Sequence, residues 1–350
     1  MTTTTTIDDK LAIAEHCPWL RGITMPVADP IKPVDANDNR MSVKELLKIH
    51  SVTIEETKKM LTGDKDDEGT KKGKASVATA LYDPLKHDDL WILRFVLSHA
   101  ESQKNKKKVS DKAVREVAEA AKTSLEMRDK YDLDKHDIRF HPPSKTTDFT
   151  SLIDAGSVTA KCFQKQTTFM KENDAMVPKV PDVKRTVFLC LQPALMDQHK
   201  LAKEFPFEEA LPAALYFSEW SFQWYDYITR TTGRLTRTTR FIIMTGISQS
   251  NMNSDYRKRN SQVLSSVQDC YPQLLNKAFI CGAPTWLMAL FKVVKKVMPK
   301  RLVSKMDFVA PQKNTKDKGR VLEYMSEKDL PDHLGGTNKT WADMVMPEVQ

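Results

Sequence analysis

The sequence predicts an α/β protein: an all-helical N-terminal unit, then a largely parallel sheet joined by helical crossovers. Between residues 42 and 130 the apolar residues recur at helical spacing. After about residue 130, short β-type runs alternate with helical segments, which is the pattern of βαβ crossovers. A chain of 350 residues also has room for about two domains and a sizeable core.

Residues 1–41 are rich in Thr, Asp and Pro, lack sustained periodicity and read as an irregular extension. Ser42 to Leu61 is helical, with Ser42 as N-cap and Glu45 three residues in as its capping-box partner. Residues 62–76 are polar, charge-dense and glycine-containing, hence a loop. In residues 87–102, Leu90, Leu93 and Leu97 share one helical face, and Asp88 or Asp89 caps the start. Lys-rich residues 104–108 form a connection, and Ser110 to Tyr131 is helical through Val114, Val117, Ala121 and Leu125. Four β-type runs follow, at 185–192, 240–248, 277–283 and 304–309. Helices lie between them at 207–230, with Pro212 in the first turn, at 254–271 and at 284–298. The domains expected are 42–130 (helical unit) and 131–340 (α/β domain), flanked by the extension 1–41 and a tail at 341–350.

The 54 Lys and Arg exceed the 46 Asp and Glu by eight, and 40% of residues are hydrophobic, so global disorder is excluded. Five cysteines, an odd number without a CxxC pair, give neither a disulfide framework nor a zinc site and favour a reducing compartment. The N-terminus lacks the pattern of a secretory signal. The most apolar stretch, Ala278 to Phe291, is interrupted by Gly282, Pro284 and Thr285 and is too short to cross a bilayer. A cytoplasmic protein, reversibly peripheral on membranes and monomeric, is the expectation.

No catalytic motif stands out. GISQS (246–250) lacks the closing glycine of a nucleophile elbow. GTKKGKAS (69–76) has its glycines one residue too close for a phosphate loop, and Ala75 stands where a hydroxyl is needed. Asp64, Asp66 and Glu68 lack the twelfth-position carboxylate of a calcium loop. His136 and His141 do not share a helical face. No aromatics interleave with the lysines at 104–108, so nucleic acid is not an expected partner. No cofactor or metal is expected, and the absence of a catalytic motif is weak evidence against an enzyme, because sites are assembled in space.

The informative segment is 270–306, which has no Asp or Glu. Within it, Trp286, Leu287, Leu290, Val293, Val294 and Val297 cluster on one side of a helix, extended by Phe291 and Met298; Lys292, Lys295 and Lys296 lie opposite. The pattern alone fits a surface helix packed on an α/β domain. A wide apolar side and charge of a single sign also fit reversible contact with an anionic membrane.

Four segments resemble the CRAL-TRIO family of lipid-binding proteins: DDLWILRFVL (88–97), RFIIMTGIS (240–248), residues 271–309 beginning at Tyr271-Pro272, and LEYMSEKDLPDHLGG (322–336). They occur in the family's order. The resemblance implies a lipid pocket floored by the sheet and closed by a gate helix at 284–298, lined by Trp286, Leu287, Leu290, Phe291 and Val294. Lys292, Lys295 and Lys296 become the membrane-facing residues. Moving two acyl chains of 16–18 carbons out of a bilayer costs on the order of 25 kcal/mol at ~0.8 kcal/mol per methylene, so the pocket must be dry and apolar. Lys305, Gln273, Thr238 and Arg240 correspond to the family's head-group positions. Phosphoinositide-binding members pair a Glu with the Lys; here that Glu position is Gln273, which carries no charge. Leu97 and His99 stand where the family has two arginines. The implied function is non-catalytic binding and transfer of a phospholipid or other hydrophobic lipid between membranes, with a membrane-recruited lipid sensor as the alternative and a lipid-ester hydrolase as the more remote one.

Overall fold

The computed structural model describes residues 42–63, 80–99, 110–134, 139, 157–167, 169, 187–191, 193–295, 303–324, 327–328, 330 and 332–337. The predicted extension 1–41, most of the loop at 62–76, the lysines at 104–108, His136, His141, Lys296 and the tail 341–350 lie outside them.

Three helices form the N-terminal unit: α1 (Val43–Thr62), α2 (Asp89–His99) and α3 (Asp111–Lys130). Helix α1 starts with the predicted capping box: the Ser42 hydroxyl accepts from the Glu45 amide at 3.1 Å, and the Ser42 amide donates to the Glu45 carboxylate at 2.7 Å. It ends at Gly63, whose φ of 80° is left-handed. Asp88 caps α2 by accepting from the Trp91 amide at 3.1 Å. Sequence spacing gave α2 one apolar face. In the fold, every residue from Leu90 to Val96 is buried, so α2 is a central strut between α1 and α3.

The α/β part contains α4 (Val158–Thr167), β1 (Val187–Leu191), α5 (Gln198–Glu204), α6 (Phe207–Thr232), β2 (Thr238–Ile243), α7 (Ser254–Cys270), β3 (Leu275–Cys281), α8 (Thr285–Val294), β4 (Met306–Val309) and α9 (Thr315–Leu322). The short α4 has no counterpart among the sequence-based expectations. Pro212 sits at the sixth residue of α6, a turn deeper than expected, where it removes one backbone hydrogen bond from the helix interior.

The strands form one sheet in the order β1-β2-β3-β4, every neighbouring pair parallel. This α/β architecture, helices first and a parallel sheet after, is the predicted one. With crossovers of the usual right-handed kind, a monotonic strand order puts the connecting helices on one face of the sheet; α6 reaches β2 through Tyr225 and Thr238, and α8 reaches β4 through Phe291 and Phe308. The opposite face meets α9 and the segment that follows it.

The two units are joined through α6. Arg94 of α2 donates to Asp226 at 3.0 Å, Arg128 of α3 donates to both oxygens of Glu219 at 2.9 and 3.0 Å, and Arg230 grips Asp88 at 2.7 and 3.0 Å. Tyr271, just after α7, adds a 2.7 Å hydrogen bond to Glu219. Such buried charges are tolerable only because each is paired and hydrogen-bonded.

Candidate functional site

Because strand side chains alternate, each strand contributes to both faces of the sheet. Phe241, Ile243, Phe279, Cys281 and Val309 point to one face, where they pack with Val321, Leu330 and Leu334; all are buried. Phe241 stacks on Phe279 with ring centres 5.4 Å apart, and Tyr324 meets Phe279 edge-on at 5.3 Å. This face is sealed.

The intervening residues form the other face. The strand register aligns Leu191, Ile242, Ile280 and Phe308 in one row, and Arg240, Ala278 and Met306 in the row before it. Ala278 and Ile280 are buried, whereas Leu191, Arg240, Ile242, Met306 and Phe308 are only half-buried. Apart from Arg240 this face is apolar, and the protein covers it only in part.

Helix α8 lies over this face. Its Phe291 ring packs on Phe308 at 4.7 Å between centres. Leu287 is buried, and Trp286, Leu290 and Phe291 are half-buried, so these four expected lining residues point inward. The side chain of Val294 is outside the described set. Lys292 and Lys295 are exposed, as expected. Val293 departs from its expected inward position: it is 65% exposed, and Met288 is 42% exposed. The apolar stripe of α8 is wider than the surface beneath it, so both overflow onto the lysine face. A tight turn connects β3 to α8 at Gly282, whose φ is 64°; a Cβ there would lie 2.5 Å from the Thr245 hydroxyl oxygen.

The expected head-group residues fall into two groups. Lys305 donates its ammonium to the Leu275 carbonyl at 2.8 Å, tying the start of β4 to the start of β3. Gln273 has a left-handed φ of 65°, and its amide nitrogen donates to the Leu97 carbonyl at 3.0 Å. Lys305 and Gln273 thus each hold a different backbone carbonyl. Thr238 and Arg240, by contrast, sit together on the central strand beside Tyr225 of α6. Tyr225 shares hydrogen bonds with Thr238 and Ser221, and burial raises its pKa. Burial pushes the Arg240 guanidinium below the ordinary arginine value, opposed by the neighbouring Tyr225 oxygen. The Arg240 Nε is buried without a hydrogen-bond partner.

Sequence reasoning missed Tyr225 and Ser221. They stand four apart and therefore share a face of α6, but only the fold brings that face to β2. Among the described residues there is no group of three or more His, Cys, Asp or Glu arranged to hold a metal, and no helix is long and apolar enough to cross a membrane.

Residues 171–336 match the model of a family described as CRAL/TRIO domain. Patellin-5 of Arabidopsis thaliana is 28% identical over 83 residues, a stretch that is 24% of this chain and 12% of that protein's length. The crystal structure of Sfh5 superposes with a TM-score of 0.44 at 14% identity, covering 90% of this chain and 94% of that one.

Proposed function

We propose that this chain, a member of the CRAL/TRIO family through residues 171–336, holds a hydrophobic lipid against the half-open sheet face and carries it between membranes. The observation that supports this most is the difference between the two faces of one sheet: sealed toward α9, apolar yet incompletely covered toward α8.

Helix α8 is the element that would move. It makes no buried ion pair among the described residues, and its inward contacts are apolar. Its outer side mixes Lys292 and Lys295 with Met288 and Val293. Cations attract an anionic leaflet, at about 1 kcal/mol each near the surface, and the two apolar side chains can enter the headgroup boundary. A membrane-bound α8 would thus find partners for the face it now shows to water. Lys296 belongs to the same proposed surface by helical spacing.

In this reading the protein is a non-catalytic, monomeric cytoplasmic carrier, peripheral on membranes. Thr238 and Arg240 would form the polar end of the binding surface. Lys305 and Gln273 each give one N–H to a backbone carbonyl, and the donors that remain on each would serve a head group.

Protein expressed in cells and extracted into chloroform should release lipid near one molecule per chain, identified by mass spectrometry, and should move labelled lipid between vesicles. Protein that carries no lipid and accelerates no transfer would overturn the reading.

A further inference from the structure

A groove on the helical unit plays no part in the site described above. It has a volume of about 550 Å³ and is lined by one flank of α1 from Val43 through Leu47 to Thr62, by Tyr82 and Pro84, and by the end of α6 at Gly233. It therefore lies across the seam between α1 and α6. The lining is mainly apolar. A Cβ placed on Gly233 would meet nothing within 4 Å, so the groove is open at that end. Its charged groups cancel in pairs, Lys58 with Asp89 and Arg230 with Asp88. The groove offers no net charge to an ionic ligand and fits an apolar occupant.

The sequence supplies such an occupant. In residues 17–27, CPWLRGITMPV, Arg21 is the one charged residue, while Trp19, Leu20, Ile23, Met25 and Val27 are large and apolar. Pro18, Gly22 and Pro26 oppose a helix, so an extended chain is the form this stretch favours. The extension joins the described chain at Ser42, which pairs with Arg234 beside Gly233. The next amide, that of Val43, donates to the Gly233 carbonyl at 2.9 Å. Val43 and Gly233 both line the groove, so the extension meets the body at the groove's rim.

The lengths agree. The flank of α1 from Val43 to Thr62 runs about 28 Å at ~1.5 Å per residue. An extended segment covers that distance in roughly eight or nine residues at ~3.3 Å each. Residues 28–41, which connect the apolar stretch to Ser42, can reach up to about 46 Å at the same rise, more than the groove's whole length. Tethering also gives the segment an effective concentration on the order of mM, which a free peptide or a second copy lacks.

We infer that residues 17–27 bind in this groove of their own chain, with Trp19 and Leu20 as the anchors, and strap α1 to the end of α6. The inference stands apart from lipid binding and does not depend on it.

Amide hydrogen exchange read by mass spectrometry on the full chain is the test. In the wild type, residues 19–27 should exchange at least tenfold more slowly than a synthetic peptide of the same sequence, while the threonines at 2–6 should exchange at the free rate. Thr62→Trp fills the groove from an exposed position on α1, and Pro84→Trp fills it from an exposed position on another wall. Each should abolish the protection, as should Trp19→Ala combined with Leu20→Ala. Protection should not change across a wide range of protein concentration. Exchange at the free rate in the wild type overturns the inference, and that measurement needs no variant to fold. Protection that survives both groove-filling variants puts the segment elsewhere on the molecule and overturns it too. Protection that grows with protein concentration makes a second copy's groove the binding site and overturns the intramolecular strap.

Discussion

The two faces of the sheet are made by the same four strands, often by adjacent residues, yet they do different work. Phe241 is sealed beneath α9, while its neighbours Arg240 and Ile242 are half-buried on the opposite face. One face gains its stability from close packing of rings and aliphatic chains. The other gives up part of that burial, at roughly 25 cal/mol for each Å² left uncovered, and gains a surface that can accept cargo. Charge follows the same division. At the junction with the helical unit, Arg94, Arg128 and Arg230 are paired with carboxylates; on the open face no carboxylate among the described residues pairs with Arg240.

The largest effect should come from damaging the sealed face. Phe279 is fully buried between Phe241 and Tyr324. Phe279→Ala should cost about 3–5 kcal/mol in urea unfolding, because it leaves a cavity with no room to collapse. Ile242→Ala, on the half-open face of the adjacent strand, should cost less than about 1.5 kcal/mol but weaken retention of bound lipid. Equal losses of stability would show that the faces are packed alike and would remove the basis for a pocket.

A somewhat smaller effect should separate the charged junction from the open face. The Arg230 guanidinium and the Trp91 amide hold Asp88 below the usual carboxylate range against the opposing effect of burial. Arg128 and His87 do the same for Asp134. A carboxylate with a depressed folded-state pKa contributes stability above its unfolded value, near 3.8, and loses that contribution as pH falls through the folded value. Stability should therefore drop below about pH 4. Asp88→Asn should lose about 1.5–3 kcal/mol at pH 7, the worth of hydrogen bonds to a charged group, and show a flatter acid limb. Arg240→Met should keep the wild-type acid profile, since no carboxylate faces Arg240 among the described residues. Circular dichroism melts across pH 2–7 measure both.

Much of the fold was legible because local chemistry and tertiary packing agree. Ser42 and Glu45 announce the start of α1 by themselves, and the apolar runs at 240–248 and 277–283 announce β2 and β3. Where the two disagree, the sequence misleads. Strand β2 begins at Thr238, two residues before its apolar run, because Thr238 is held by the Leu274 carbonyl and by Tyr225. The inner face of α8 was legible from its period, but the exposure of Val293 was not, since it depends on how much floor lies beneath. The Tyr225–Arg240 neighbourhood was least legible: it joins a helix to a strand, and neither residue signals the other. Gln273 illustrates the converse. Its position in a motif suggested a head-group contact, while its backbone conformation turns the side chain to Leu97.

The smallest expected effect concerns the outer side of α8, where charge and apolar exposure compete to explain membrane contact. Lys292→Gln combined with Lys295→Gln should lower affinity for vesicles containing phosphatidylserine by about 2 kcal/mol, roughly thirtyfold, and the loss should shrink as salt rises. Val293→Ser should cost no more than about 1 kcal/mol, independent of salt, because a single small side chain buries little area in the headgroup boundary. Neither change touches Phe291 or Leu287, so bound lipid should remain in the protein while vesicle sedimentation falls. If the lysine variant releases its lipid in solution, the outer face is coupled to the inner one, and α8 closes the pocket through its charge as well as its packing. If vesicle binding is unchanged in both variants, membrane contact lies elsewhere on the molecule, and the overflow of Val293 and Met288 is only the consequence of a helix greasier than its seat.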